Sequence, residues 1–265
     1  MTSEVDERLA ITLNDELCSR CSICSAVCPY EAIKLDSESG RIVLDIDTCK
    51  LCGLCYATCP AGAISTPYYD LDALVAYTEQ ARVLHDTATL VVMCRASAPP
   101  LKEVSKIFGI SKFIPLYLPC IGRTPVELFL KALASGMEKI CIMACKDDFC
   151  GFEKGGVTTK RKISLLQRLV EQFGYDPEVI TFRQNSLIAE INILRCTGCL
   201  LCEKVCPFEA IEPQTMRDGR IVAAVSESKC RGCGLCVAAC RPGALNLQGF
   251  SNQRKILAEV TAPWL

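Results

Sequence analysis

Several features that would assign the chain to a common class are missing. The 265 residues contain 29 Lys and Arg against 30 Asp and Glu, so no excess charge would attract nucleic acid or an acidic membrane surface. No apolar run reaches the roughly 18 residues of a bilayer-spanning helix, so we expect no direct membrane insertion. The charged residues 1–10 lack the apolar core of a secretory signal, which favours a cytoplasmic protein.

Motifs of substrate chemistry are missing as well. The chain has no nucleotide-binding signature, no nucleophile elbow, no His-Glu-x-x-His and no Cys-x3-Cys-x2-Cys radical motif. Its one histidine, His85, precedes the first central strand and is predicted to lie on the surface. The basic run 160–162 is predicted to be a solvated helix face, and Trp264 to anchor a partner or lie loose. We expect no substrate site on this chain.

Cysteine, by contrast, is abundant. There are 21 cysteines, an odd number that disulfides within one chain cannot use up. Disulfides are typical of exported proteins, and the expected absence of an export signal argues against them. Thiolates that hold metal in a reducing cytosol account for this composition better.

Sixteen of the cysteines form four copies of one spacing, Cys-x2-Cys-x2-Cys-x3-Cys. The runs are Cys18, Cys21, Cys24 and Cys28; Cys49, Cys52, Cys55 and Cys59; Cys196, Cys199, Cys202 and Cys206; and Cys230, Cys233, Cys236 and Cys240. This is the bacterial ferredoxin run, whose thiolates hold [4Fe–4S] clusters. Four runs predict four [4Fe–4S] clusters, a protein that moves single electrons, and an anaerobic or low-oxygen setting.

The fourth cysteine of such a run ligates the other cluster of its pair. The predicted ligand sets are therefore Cys18, Cys21, Cys24 and Cys59; Cys49, Cys52, Cys55 and Cys28; Cys196, Cys199, Cys202 and Cys240; and Cys230, Cys233, Cys236 and Cys206. In the last run Arg241 separates Cys240 from Pro242. This difference changes the turn after the run, and we still expect Cys240 to be a ligand. Zinc is the alternative metal, but a zinc ribbon needs two Cys-x2-Cys pairs and not a repeated quartet.

The cysteine-poor middle of the chain alternates between strand and helix patterns. Strands are predicted over 89–93, 113–118, 139–143 and 179–182, and helices over 100–108, 124–136 and 157–173. This order predicts a small parallel sheet with helices on its faces. The expected fold is α+β ferredoxin-like modules at both ends of a central α/β domain, with domains at 1–68, 69–186 and 187–265.

Four of the remaining cysteines follow the predicted central strands. They are Cys94, Cys120, Cys145 and Cys150. Ligands of open parallel sheets bind beyond the carboxyl ends of the strands, so these thiols should converge at one edge. Four thiolates are enough for a [2Fe–2S] cluster. Cys141 lies inside a strand between two isoleucines and is predicted to be an inert core residue.

Segments 118–125 and 144–152 resemble the delta subunit family of methyl-viologen-reducing hydrogenase. Cys120-x-Gly-Arg123 matches the second cysteine motif of that family, and Cys145-x4-Cys150 the third. Members are also fused to, or partnered with, heterodisulfide reductase A, which is a flavoprotein. The resemblance implies a [2Fe–2S] cluster that relays electrons from a donor enzyme to such a flavoprotein.

The chain departs from the family at two places. Ser97 stands where the family has a second cysteine in its first motif, and Lys146, Asp148 and Phe149 replace its histidine and Gly-Asp. A domain that lost its cluster and serves as a docking platform is the alternative. Arg95 and Arg123 stand near proposed ligands, where each would neutralise cluster charge, dock a partner or be solvated.

These patterns predict an electron-transfer subunit of a cytoplasmic multi-subunit oxidoreductase. Its expected partners are a flavoprotein like heterodisulfide reductase A, and a hydrogenase, formate dehydrogenase or other low-potential reductase. One alternative is a free polyferredoxin that shuttles between enzymes; another is a reductase that uses the central cluster. A large apolar surface around residues 88–184 would favour the subunit, and a fully polar surface the shuttle.

Overall fold

The computed structural model of the protein describes residues 11–247. Its strands are β1 (Thr12–Leu13), β2 (Ile33–Leu35), β3 (Ile42–Leu44), β4 (Ile64–Ser65), β5 (Thr89–Cys94), β6 (Ile114–Leu118), β7 (Lys139–Ala144), β8 (Ile180–Gln184), β9 (Ala189–Ile191), β10 (Ile211–Thr215), β11 (Ile221–Val225) and β12 (Leu245–Leu247). Its helices are α1 (Ile23–Val27), α2 (Leu71–His85), α3 (Leu101–Phe108), α4 (Val126–Ala134), α5 (Gly155–Gln172), α6 (Leu201–Lys204) and α7 (Leu235–Ala239).

The described chain divides into two compact units. The first comprises residues 11–95 and 111–184, and the second residues 96–110 and 185–247. The domain boundaries expected from the sequence stay a prediction, because a compact unit does not reveal which segments fold independently.

The first unit begins with two small antiparallel pairs, β1 with β4 and β2 with β3. Four isoleucines, Ile11, Ile33, Ile42 and Ile64, form their buried core together with Cys24 and Cys55. Strands of two or three residues around so few apolar side chains form a marginal core, and small domains of this kind commonly depend on a metal or another cross-link.

The same unit contains a four-stranded sheet in the order β6-β5-β7-β8, with every neighbouring pair parallel. Residues 90–93 of β5 and 140–144 of β7 are completely buried, as expected for the middle strands of a sheet covered on both faces. The predicted parallel sheet is confirmed, and its strands lie within two residues of the expected positions.

Helix α2 is the longest helix that sequence reasoning missed. Asp70 begins it by accepting a hydrogen bond from the backbone N–H of Ala73 at 2.8 Å, a typical N-cap contact. Its buried positions are Leu74, Thr78 and Ala81. They have helical spacing, but threonine and alanine make a weak apolar stripe, so periodicity did not reveal the helix.

The second unit repeats the small antiparallel pattern. Strand β10 pairs with β11 over five residues of each strand, and β9 pairs with β12. Leu187, Ile211, Leu245 and Leu247 are buried in its core with Cys202, Cys230 and Cys236. The helix α3 belongs to this unit.

The described residues also answer two smaller questions. His85 is exposed at the end of α2, as expected, whereas Trp264 lies outside the described residues. Between residues 11 and 247, no helix has both the length and the apolar character that crossing a membrane requires.

Candidate metal centres

The sixteen ferredoxin-type cysteines surround four cavities. The first site has Cys18, Cys21, Cys24 and Cys59; the second site Cys28, Cys49, Cys52 and Cys55; the third site Cys196, Cys199, Cys202 and Cys240; and the fourth site Cys206, Cys230, Cys233 and Cys236. Each cavity thus combines three cysteines of one run with the last cysteine of the neighbouring run. The fold brings together the groups expected from the sequence, while metal ligation by them stays a prediction.

The arrangement of the four cysteines in each cavity bears on which metal group fits. Apolar side chains line each cavity together with the cysteines. Within residues 11–247, no three His, Cys, Asp or Glu side chains are arranged to hold a single metal ion. Zinc would draw its four sulfurs to about 2.3 Å. Four thiols that line one cavity without that single-ion arrangement instead suit the corners of an iron–sulfur cubane.

Backbone amides donate to cysteine sulfurs at the exits of three runs. The N–H groups of Ala63, Ala210 and Ala244 lie 3.2–3.3 Å from the Sγ of the cysteine four residues earlier. Such bonds stabilise negative charge on sulfur and are one lever on a cluster's reduction potential. Cys240 receives its bond even though Arg241 precedes Pro242, so this departure leaves the contact intact.

Exposure distinguishes the second site from the other three. The middle cysteines Cys21, Cys199 and Cys233 are exposed, whereas the equivalent Cys52 is only 7% exposed. Hydrogen bonds from the backbone of Ile23 and the side chain of Ser19 lower the pKa of Cys21. In the second site, burial instead raises the pKa of Cys52, because a thiolate loses hydration there.

A fifth group of cysteines, the central site, lies at the carboxyl edge of the parallel sheet. It consists of Cys94, Cys120, Cys145 and Cys150, all of them buried. Cys94 shares side-chain hydrogen bonds with Cys120 and Cys145, and Cys120 also shares one with Cys150. The four thiols therefore form one continuous group, as the strand order predicts.

Backbone groups support the central site. The N–H of Ile121 donates to Cys94 Sγ at 3.1 Å, and the N–H of Gly122 donates to Cys120 Sγ at 3.3 Å. Both amides belong to the 3₁₀ turn Ile121–Arg123. The motif Cys120-x-Gly-Arg123 thus supplies a sulfur together with two donors that stabilise charge on sulfur.

The central thiols are costly to ionise. The hydrogen bond with Cys120 and then burial raise the pKa of Cys150 far above its usual range. For Cys120, the bond with Cys150 lowers the pKa, but the bond with Cys94 and burial outweigh it and bring the pKa to about 12. At neutral pH these thiols need nearby positive charge to become thiolates, and metal binding supplies that charge while releasing their protons.

Gly155, the first residue of α5, touches the central site and offers a direct test. A Cβ at this position would overlap Cys120 Sγ and lie 3.3 Å from Cys150 Sγ. Gly155 does not have a positive φ, so alanine fits its backbone and a loss of iron content would come from the overlap. If the central site holds the two-iron cluster expected from the sequence, Gly155→Ala should lower its iron content, measured by iron analysis and electron paramagnetic resonance (EPR).

Gly151→Ala is the matched control, because a Cβ there meets nothing within 4 Å. This variant should keep the full iron content and an unchanged spectrum. If both variants behaved like the parent protein, the close packing of Gly155 against Cys120 would be wrong.

Cys141 occupies the position expected of a core residue. It is 0% exposed in β7, where it pairs with Val91 of β5 and Thr181 of β8. Burial raises the pKa of Cys141 to about 11. The predicted core location is confirmed.

Two cations near the cysteines are buried more deeply than the sequence suggested. Arg123 is only 5% exposed, while Arg95 is exposed. In the basic run, Lys160 and Arg161 are exposed as predicted, but the expectation of a solvated face is wrong for Lys162, which is partly buried. Buried Thr159, Ile163 and Leu166 surround Lys162 on the helix, and that spacing was the available signal.

Comparison with known families defines the class of protein. Residues 17–63 and 195–244 each match the sequence model of the 4Fe-4S dicluster domain, and these segments contain the four cysteine runs. The chain is therefore an iron–sulfur protein with a dicluster region towards each end. Residues 91–194 match the delta subunit of methyl-viologen-reducing hydrogenase, which confirms the resemblance seen in the central cysteine motifs.

Curated relatives agree with these matches. The vhu iron-sulfur subunit of F420-non-reducing hydrogenase from Methanopyrus kandleri is 33% identical over 61 residues, which cover 23% of this chain and 46% of the relative. The iron-sulfur subunit of F420-non-reducing hydrogenase from Archaeoglobus profundus is 26% identical over 94 residues, or 36% and 61% of the two chains. The chain thus spans about half to three fifths of these two relatives.

A third relative extends the similarity beyond the central segment. The ferredoxin:CoB-CoM heterodisulfide reductase A protein from Methanosarcina mazei is 29% identical over 171 residues. The match covers 63% of this chain but only 21% of that protein. It is similar to a longer stretch of this chain than either hydrogenase protein.

Proposed function

We propose that this chain is an electron-transfer subunit of a multi-subunit oxidoreductase, with four [4Fe–4S] clusters and one [2Fe–2S] cluster. The observation that carries this proposal is the grouping of twenty cysteines into five sets of four. The first to fourth sites would each ligate a cubane, and the central site would ligate the two-iron cluster. Bound clusters supply one-electron oxidation and reduction, and the protein's own groups hold them, donate N–H groups to sulfur and exclude water.

The domain layout belongs to the same proposal. Residues 1–68 and 187–265 would be the two dicluster modules, and residues 69–186 the hydrogenase-delta-like domain between them. The match to the dicluster model at both ends and to the delta-subunit model in the middle supports this layout. We propose a cytoplasmic location and no substrate site on this chain.

The proposed partners are a flavoprotein like heterodisulfide reductase A, and a hydrogenase, formate dehydrogenase or other low-potential reductase. The names of the relatives support a hydrogenase and a heterodisulfide reductase. Exposed Cys21, Cys199 and Cys233 mark edges where electrons would enter or leave the protein. Apolar Ile23 and Leu235 are exposed beside two of these edges, as suits surfaces that dock other proteins.

Surface composition favours a subunit over a free shuttle. Val83, Leu84, Leu165, Phe173 and Tyr175 are more than half exposed in the first unit. A polyferredoxin that diffuses between enzymes would benefit from a polar surface, whereas apolar groups in and beside the central segment suit partner contacts.

Metal content tests the proposal directly. Four cubanes and one two-iron cluster give about 18 iron atoms and as many sulfides per chain, from 4 × 4 + 2. We expect this content in protein purified without oxygen and analysed for iron and acid-labile sulfide. A content near 16 iron atoms per chain would show that the central cluster is absent and would leave the four cubanes in the proposal. Stoichiometric zinc without sulfide would contradict the whole proposal.

A further inference from the structure

The loop of the second site and the turn of the central site interlock. The 3₁₀ turns Tyr56–Thr58 and Ile121–Arg123 contact each other. A Cβ on Gly53 would lie 2.6 Å from Arg123 Cβ, and one on Gly122 would lie 2.7 Å from Leu54 Cδ2. Two glycines, one on each side, therefore allow the two backbones to approach closely. This contact also explains why Cys52, unlike its equivalents in the other sites, is buried.

Lys162 fastens the two sides of this junction together. Its ammonium group donates to the carbonyl oxygen of Ala57 at 3.0 Å, of Gly122 at 3.2 Å and of Thr124 at 3.4 Å. Ala57 lies between two cysteines of the second run, and Gly122 and Thr124 closely follow Cys120. All three N–H donors of the lysine are used, and one of them reaches Ala57, which is 105 residues from Lys162 in the chain.

Arg123 lies in the same junction. Its Nη2 donates to Thr66 Oγ1 at 3.1 Å and to the Tyr68 carbonyl at 2.5 Å, and the guanidinium lies 5.1 Å from the Tyr69 ring centroid. Within the described residues, the buried Nε–H has no hydrogen-bond partner. A buried donor without an acceptor is costly, and a charged sulfur of a bound cluster is an acceptor of the required kind.

The electrostatic surroundings of Arg123 include both cysteine groups. Burial lowers the pKa of Arg123, while neighbouring Cys120, Tyr69 and Cys52 oppose that shift. Tyr30 reports the same neighbourhood, since Cys52 of the second site and Cys150 and Cys120 of the central site all raise its pKa in addition to burial. Arg123 therefore lies close enough to interact electrostatically with cysteines of both sites.

We propose that Arg123 and Lys162 are positioning residues of a rigid junction that holds the second site against the central site and gives the two sites a shared positive environment. This inference rests on the proposed clusters at both sites. The proposal assigns the second site, and not the more exposed first site, as the fixed neighbour of the central site. Removing either cation should make both centres harder to reduce and weaken their magnetic interaction.

The experiment uses the full chain, purified without oxygen, with Lys162→Met and Arg123→Met as the test variants. Lys160→Met is the matched control, because that cation is exposed on the same helix as Lys162. Redox titration followed by EPR is expected to show shifts to more negative potential at the second and central sites, and loss of their spin–spin coupling. Lys162→Arg, which keeps the charge, should restore both properties.

Iron content and hydrogen exchange separate the possible outcomes. A test variant with full iron, faster amide exchange over residues 50–60 and shifted potentials would support the junction. The junction would be overturned if both test variants kept the potentials, the spin–spin coupling and the amide exchange of the parent protein. In that case an iron content of about 18 atoms per chain would still support the proposed function. If either test variant fails to retain iron, the other and Lys162→Arg still decide the matter. A parent protein without a two-iron signal would remove the central cluster from the proposed function and would overturn the junction that rests on it, while the four cubanes would stand.

Discussion

Replacing Cys120 by alanine is expected to abolish the two-iron signal and to lower the iron content from about 18 to about 16 atoms per chain. Cys120 lies in the middle of the central site, with hydrogen bonds to both Cys94 and Cys150. The substitution removes one proposed ligand, and with it the sulfur that connects Cys94 to Cys150. Electron transfer to a flavoprotein partner should stop, while dithionite should still reduce the four-iron centres. EPR and iron analysis would measure both effects.

Cys141→Ala is the matched control for this prediction. The residue is also a buried cysteine in a central strand, but it pairs with Val91 and Thr181 instead of joining the group of thiols. We expect the full iron content and normal electron transfer, with a loss of about 1 kcal/mol in stability from the missing sulfur. If Cys120→Ala kept the iron content and electron flow of the parent protein, Cys120 would not be a cluster ligand and the assignment of the central cysteines would be wrong.

Replacing Cys59 by alanine is expected to disrupt the cluster of the first site, although Cys59 is nearer in sequence to the second site. The structure places Cys59 around one cavity with Cys18, Cys21 and Cys24. It also receives a hydrogen bond from the N–H of Ala63 at 3.3 Å. A cubane left with three cysteine ligands should lose iron or convert to a three-iron form, which EPR distinguishes from an intact cluster.

Cys28→Ala provides the reciprocal experiment. Cys28 belongs to the first run but lines the cavity of the second site. Its removal should therefore damage the second site and spare the first. The opposite assignment, in which each variant damages the cluster of its own run, would show that the crossed ligation is wrong and that the cavities do not reflect cluster binding.

The Cys28 and Cys59 variants together separate the loss of one cluster from general damage to the module. Cys28 and Cys59 occupy equivalent positions in their runs, so general damage to the small module would affect both variants alike. Only crossed ligation predicts opposite patterns at the two sites.

Much of this protein is determined by its sequence alone. A Cys-x2-Cys-x2-Cys-x3-Cys run fixes which sulfurs lie on one tight loop, because so few intervening residues limit the reach of the chain. The continuous apolar runs at 89–93 and 139–143 similarly determine two buried parallel strands, since each is short and almost entirely apolar. The convergence of Cys94, Cys120 and Cys145 then follows from the rule that parallel strands end at one edge.

Other features are decided only by the tertiary structure. The helical spacing of Ile163 and Leu166 places Lys162 towards the buried side of α5, but only the fold brings Ala57, 105 residues away, to supply a carbonyl oxygen for it. Arg123 is similarly buried because Gly53, Thr66 and Tyr68 of the N-terminal region lie against it. Burial of a cation depends on which distant segments cover it, whereas cysteine spacing is a property of the local chain. For this reason the sequence predicted the grouping of the twenty cysteines but not the contacts of Arg123 and Lys162.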